Sequence, residues 1–225
     1  MFCNSIFFRR QDTFELSDVS TLVNKKSFSY FSLMQFNEGS FYHIYNRGND
    51  KRPIFFEERN YEFFLKKVQK YIGSNSDILA WCFMPNHFHF LIRANSFSTR
   101  IVKEGTIKIN ALTEGIRMLL SSYTKAIQKQ ESLTGNLFQQ KTKFKCVDDY
   151  LGTTFHYIHQ NPFRAKLVKH LEDWKWSSLP EYLGQSQNTI CHKEIIYEYA
   201  DIYKNTLLKD SYSVIPDKFV ITNLL

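Results

Sequence analysis

The stretch DILAWCFMPNHFHFLIR, Asp77 to Arg93, constrains the fold more than any other part of the chain. Two runs of strand-forming residues flank a break at Met84-Pro85-Asn86. That break is too short for a crossover, so the two runs predict an antiparallel pair. The first run, DILAWCFM, is apolar almost throughout and reads as a buried strand. The second alternates. Successive side chains of a strand point to opposite faces, so Phe88, Phe90 and Ile92 face one way and His87, His89 and Leu91 the other. Neighbours on one face lie roughly 6.6 Å apart along the strand, close enough for two imidazoles to converge on one ion above the sheet. A solvated sheet face carrying two histidines is the plain alternative, and an arbitrary His-x-His does not decide between them.

The flanking segments predict the remaining elements. FYHIYNRG (Phe41 to Gly48) reads as a strand running into a loop. Between Glu57 and Ile72, Phe64, Val68, Tyr71 and Ile72 recur at helical spacing, and Gly73 is a natural stop. A second helix spans about Ala111 to Gln130, with Leu112, Ile116, Leu119, Leu120, Tyr123 and Ile127 on one stripe. A late strand is expected over Leu137 to Cys146, then a third helix from near Asp148 to His159. Pro162 should interrupt it, and FRAKLVKHLEDW looks like a short fourth helix. The order predicts an α+β fold: a ferredoxin-like antiparallel sheet with helices packed on one face and the histidine pair on a central strand. Residues 1–35 show no sustained period and precede Met34, so they read as an N-terminal extension. The domain proper is expected over 36–184, with a polar, irregular tail over 185–225 that has no assigned role. There is no internal repeat.

Composition bounds the function classes. With 43% hydrophobic and 23% charged residues, the 225-residue chain can bury a core and is not disordered in character. Lys plus Arg is 29 against 22 for Asp plus Glu, a formal charge of +7 that invites a polyanionic partner. Cys3, Cys82, Cys146 and Cys191 are far apart in sequence, which excludes a Cys-x-x-Cys knuckle and leaves a reducing, cytoplasmic setting as the default. No apolar run approaches the roughly 20 residues of a membrane span, so no membrane association is expected. The opening MFCNSIFFRR lacks the cleavage pattern of a signal peptide.

A divalent ion held by two imidazoles is incomplete and needs a third protein ligand. The helical His-Glu-x-x-His spacing of zinc proteases is absent. The third helix offers partners instead. In TFHYIHQNP, Leu151, Phe155 and Ile158 form the buried stripe, while Tyr157 and Asn161, four apart, fall together on its flank. A phenol with an ordinary pKa of about 10 becomes a useful nucleophile when its target is polarised. The alternatives are plain: most of the 13 tyrosines must pack, and Asn161 before Pro162 is a good N-cap for a following helix.

Four motifs in order, MPNHFHFLI, GNLFQQKTKFK, YIHQNPFRAKLV and WKWSSLPEYLG, resemble the single-tyrosine HUH transposases, and within them the REP-associated tyrosine transposases. The resemblance covers about Phe41 to Gly184. It implies that His87 and His89 are metal ligands, that Tyr157 is the nucleophile and that Asn161 is the third ligand, with Mg²⁺ or Mn²⁺ as the ion. It further implies a substrate of single-stranded DNA with hairpin ends, cut to a 5′-phosphotyrosine and a free 3′-hydroxyl and then rejoined. A domesticated relative that binds or nicks hairpins, a non-catalytic nucleic-acid-binding module and a hydrolase using water are the rival readings. In the family the catalytic helix serves either its own domain or a partner's, which leaves a homodimer open.

For gripping DNA, Lys141, Lys143 and Lys145 lie at period two and would line one face of a strand. A solvated edge strand has the same pattern. Asn46 and Arg47, before Gly48, could approach a phosphate, as could Arg117 on the polar side of the second helix. Phe138 could stack a base, although a packed core Phe reads better.

Overall fold

The structure, a computed structural model, describes residues 34–105, 108–186, 189–200, 202 and 204–224. The short Pro85-Asn86 turn imposes antiparallel pairing: β2 (Asp77–Met84) lies beside β3 (His87–Arg93), with Met84 opposite His87. β3 pairs in turn with β1 (Phe41–Arg47), and β1 with the edge strand β4 (Lys143–Cys146). The sheet order is therefore β2-β3-β1-β4, the ferredoxin-like arrangement expected from the element order. β4 is shorter than the run from Leu137 predicts, because Leu137 and Phe138 turn inward and are buried in the core.

Two helices cover one face. α1 (Glu58–Val68) continues into a π-helical turn, Gln69–Gly73, and α2 (Ala111–Glu131) packs beside it. Phe64, Val68 and Ile72 meet Leu112, Ile116, Leu119, Tyr123 and Ile127 over Phe88, Phe90 and Ile92. Each fully buried side chain of this kind contributes roughly 1.5–3 kcal/mol. The close approach of α2 to the π-turn depends on Gly115: a Cβ there would sit 2.2 Å from the Tyr71 carbonyl oxygen.

A third helix, α3 (Leu151–Arg164), packs on the opposite face through Leu151, Phe155 and Ile158, against Leu79, Cys82 and Leu91. It differs from expectation in running through Pro162. The proline removes the N–H that would bond the Ile158 carbonyl, and the Asn161 amide substitutes for it, its Nδ2 lying 3.3 Å from that oxygen and 2.9 Å from the Tyr157 carbonyl. Asn161 is thus inside the helix and not the N-cap of another. The fourth helix expected over FRAKLVKHLEDW is absent apart from a 3₁₀ turn, Leu171–Asp173. Lys166, in the left-handed region at φ 58°, ends α3, with Leu167 N bonded to the Pro162 carbonyl and Lys166 N to that of Phe163.

The segment WKWSS then runs along the outer edge of β2. Phe83 N donates to the Trp176 carbonyl and Ser178 N to that of Trp81, both at 2.9 Å, so that edge is covered. The buried Glu181 carboxylate accepts from Trp81 Nε1 and from the main-chain N–H groups of Ile190 and Cys191. Beyond it, the polar-looking tail is structured: helices Lys193–Tyr199 and Leu207–Ser211, then a short helix Asp217–Phe219 and a turn Val220–Leu224. Ile195, Ile196, Ile202, Leu207, Ile215, Val220 and Leu224 complete the core on the α3 side. The N-terminal extension lies outside the described residues except for its last two, of which Met34 is buried and accepts hydrogen bonds from Asn110 and Thr113. Among the described residues no helix is long and apolar enough to cross a membrane, and Cys82, Cys146 and Cys191 are free thiols.

Gly115→Ala should destabilise the protein by about 1–3 kcal/mol through overpacking against the π-turn. A urea titration would register a lower midpoint with an unchanged slope.

Candidate active site

The β1–β3 register assembles the site. Arg47 lies opposite His87, Tyr45 opposite His89, and His43 opposite Leu91; on the other side of β1, Lys143 lies opposite Tyr45 and Lys145 opposite His43. Directly opposed residues share a face. His43, Tyr45, Arg47, Lys143 and Lys145 therefore stand on the histidine face, the one α3 covers. The strand FYHIYNR carries the period-two signal for the first three, yet only Arg47 stands out as a candidate from sequence. His43 and Tyr45 need the register to join the site.

The hydrogen bonds determine where each imidazole carries its proton. His43 Nδ1 is 2.7 Å from the Leu224 carbonyl oxygen, which can only accept, so that nitrogen bears the hydrogen. His43 Nε2 is then a lone pair, and it lies 2.8 Å from His89 Nδ1, which must donate to it. His89 Nε2 is left as a lone pair, buried and without a hydrogen bond among the described residues. On His87, Nδ1 lies 2.6 Å from Asn86 Oδ1. That amide is oriented by its own Nδ2, which donates to the Lys51 carbonyl, so His87 Nδ1 is the donor and its Nε2 the lone pair. Both histidines of the pair thus present an unprotonated Nε2, the form a metal ion takes.

α3 brings in the remaining groups. The Tyr157 ring lies edge-on to His89 at 5.7 Å and to His43 at 6.0 Å between centroids. One turn on, Asn161 raises the His87 pKa and lowers that of the Tyr157 hydroxyl, so it acts on both groups. Its Nδ2 is held by the helix carbonyls, so its Oδ1 is the atom available to the site. Two imidazole nitrogens and an amide oxygen form a donor set suited to a divalent ion such as Mg²⁺ or Mn²⁺. Among the described residues no cluster of three His, Cys, Asp or Glu side chains could hold a metal, so an ion at this site would require the amide as its third ligand.

Burial shapes the electrostatics. It pushes the His87 pKa down to about 4, with the neighbouring Arg47 charge adding to the effect. His43 is likewise lowered to about 4, and His89 well below the usual histidine range. Tyr157 is raised by burial, with Arg164, Asn161 and Arg47 opposing. Tyr45, stacked on His43 at 4.8 Å, is pushed up to about 12. Arg47 itself forms no ion pair among the described residues. Arg164 is held by the Ile215 carbonyl and the Asp217 carboxylate of the tail.

The other candidates are scattered. Asn46 is buried with its amide committed inside the fold, Nδ2 to Thr142 and the Gln139 carbonyl and Oδ1 to Arg47 N. Arg117 is on α2, across the sheet from the histidines, and forms an ion pair with Glu114 at 2.5 Å. Lys143 Nζ lies 5.6 Å from the Tyr45 ring centre, Lys145 donates to the Thr222 carbonyl, and Lys141 is exposed just before β4. Phe138 packs edge-on against Phe88 in the core.

No protein-family model matches the sequence, and no curated protein does. Among solved structures, the fold is similar to that of a REP-associated tyrosine transposase bound to a REP hairpin. The TM-score is 0.52 at 17% identity, over 70% of this chain and 87% of that one. This shared fold is that of the family whose motifs the sequence resembles. A bacterial tRNA(His) guanylyltransferase-like protein in complex with GTP is also similar, with TM-score 0.38 and 9% identity over 66% of this chain and 74% of that one, too distant to bear on the site.

The buried histidines make acid stability a direct test. His43 and His87 titrate near 4 in the folded chain against the usual 6.5, and His159 is lowered to about 3 by burial. As pH falls, the unfolded chain takes up these protons first, so stability is fully present above about pH 6.5 and declines as pH falls toward about 4, the His159 share continuing to about 3. The fully buried His43 alone accounts for on the order of 3 kcal/mol. Thermal melts across this window should show a progressive fall in Tm; a flat profile would contradict the neutral histidine cluster.

Proposed function

We propose that this protein is a member of the single-tyrosine HUH transposase family that binds single-stranded DNA with hairpin ends and cuts and rejoins it through Tyr157. The observation that carries the proposal is the set of proton-free acceptor atoms on one sheet face: Nε2 of His89, beside the Tyr157 ring and buried without a hydrogen bond among the described residues, and Nε2 of His87. The hairpin substrate is supported by the likeness to a REP-associated transposase bound to a REP hairpin. A pure binding module has no need of this arrangement.

His87, His89 and Asn161 would hold the divalent ion, Mg²⁺ or Mn²⁺, which supplies Lewis-acid polarisation of the scissile phosphate. Tyr157 attacks that phosphorus. The phenolic O–P bond forms as the bond to the 3′ oxygen breaks, and the proton lost by the phenol is balanced by the one the 3′ oxygen gains. Burial keeps Tyr157 a phenol at rest, while the nearby charges of Arg47 and Arg164 favour loss of its proton as the bond forms. The energy of the broken bond stays in the phosphotyrosine link, so rejoining requires no nucleotide cofactor. Arg47, opposite His87 and with no ion pair among the described residues, would take a phosphate oxygen, and Lys143 and Lys145 on β4, with Lys141 just before it, would extend positive charge from the site. The Tyr157 ring lies edge-on to His89 within one chain, which supports a site assembled in cis.

Purified protein, incubated with Mn²⁺ or Mg²⁺ and labelled single-stranded hairpins from the DNA around its own gene, should give a denaturation-resistant protein–DNA band. Tyr157→Phe and His87→Ala should each reduce that band by more than about 10³-fold. Tight binding with no adduct would leave a binding module, and cleavage that survives Tyr157→Phe would make water the nucleophile.

A further inference from the structure

The metal-ligand motif accounts for His87 and His89, but not for the fully buried histidine on the neighbouring strand. His43 is inaccessible to solvent, lies opposite Leu91 and reaches diagonally to His89. A buried histidine without a polar task is a poor choice of core residue. Here each ring nitrogen has one, with Nδ1 at 2.7 Å from the Leu224 carbonyl and Nε2 at 2.8 Å from His89 Nδ1.

The two contacts have only one consistent proton order. With its hydrogen on Nε2, His43 would set a Nδ1 lone pair against a carbonyl oxygen and its N–H against His89. His89 would then have to accept through Nδ1 and carry its own hydrogen on Nε2, the atom that lacks a hydrogen-bond partner among the described residues. The opposite order satisfies every contact and leaves His89 Nε2 as the free lone pair. The main-chain carbonyl sets the direction, because it cannot donate.

We propose that His43 is the positioning residue of the ion site: anchored by the Leu224 carbonyl, it accepts the Nδ1 proton of His89 and holds that ring in the tautomer and orientation that present Nε2. The inference rests on the metal-site reading above. It adds to it that the last described turn, Val220–Leu224, takes part in ordering the site from outside the region the motifs cover. Tyr45 stacks on His43 at 4.8 Å and lies 5.8 Å from His89, which holds the ring planes in place.

The test reads the proton directly. Long-range proton–nitrogen correlation spectra of isotope-labelled, metal-free protein near neutral pH distinguish the two histidine tautomers. Wild-type His89 should carry its hydrogen on Nδ1; a hydrogen on Nε2 would overturn the proposal without any variant. Mn²⁺ affinity, measured by calorimetry on folded protein, provides the second readout. His43→Leu should weaken Mn²⁺ binding by about 10–100-fold, the usual cost of losing a partner behind a metal-bound histidine. His43→Gln should restore most of it, because an amide can also accept from His89 and donate to the carbonyl. A folded His43→Leu protein that binds Mn²⁺ as wild type does would overturn the proposal. If wild type bound no Mn²⁺ while His89 still lost its Nδ1–H tautomer in His43→Leu, the relay would stand and the metal-site reading would fail.

Discussion

The antiparallel pairing of β1 with β3 is the constraint from which the rest of the site follows. Strand side chains alternate, so one register assigns every residue of FYHIYNR to a face. Tyr42 and Ile44 go to the core under α1 and α2, and His43, Tyr45 and Arg47 to the face of His87 and His89. A slip by one residue would reverse both sets at once. It would drive two titratable rings and a guanidinium into the apolar core and set Ile44 among the polar groups of the site. Packing energy on one face of the sheet therefore holds the polar geometry on the other, and the site needs no separate device to keep its rows aligned.

The polar groups are then ordered by main-chain carbonyls, which can accept but not donate. The Leu224 carbonyl determines the proton on His43 and through it the lone pair of His89. The Ile158 carbonyl, deprived of a donor by Pro162, takes the Asn161 amide nitrogen and turns its oxygen outward. In both cases a backbone acceptor that must be satisfied in a buried setting fixes the orientation of a side chain that could otherwise flip. The Asn-Pro pair thus reconciles two demands, continuity of α3 and presentation of an amide oxygen beside His87.

Much of this was legible in the sequence, for identifiable reasons. The α2 stripe and the α3 stripe of Leu151, Phe155 and Ile158 have sustained period and are buried as expected. The hairpin followed from its two-residue turn. The tail was opaque because its buried residues, Ile195, Ile196, Ile202, Leu207, Ile215, Val220 and Leu224, are spread over several short segments, none long enough to show a period. Pro162 misled because its usual effect on a helix assumes that nothing replaces the lost donor. Arg117 and Asn46 fitted a basic, DNA-facing pattern, but residue type carries no information on whether Glu114 or Thr142 has already engaged the group.

By itself the sequence determined the strand alternation that aligns His87 with His89, the helical spacing that stacks Asn161 on Tyr157, and the order of elements that leads to this sheet. These are local properties, set by periods of two and 3.6 residues along one segment. Only the tertiary structure decided that His43 and Tyr45 join the site, that the Leu224 carbonyl orders its protons and that Arg117 lies across the sheet. Those depend on which segments meet and on which donors find acceptors, and contacts between residues 46 or 181 positions apart leave no period in the chain.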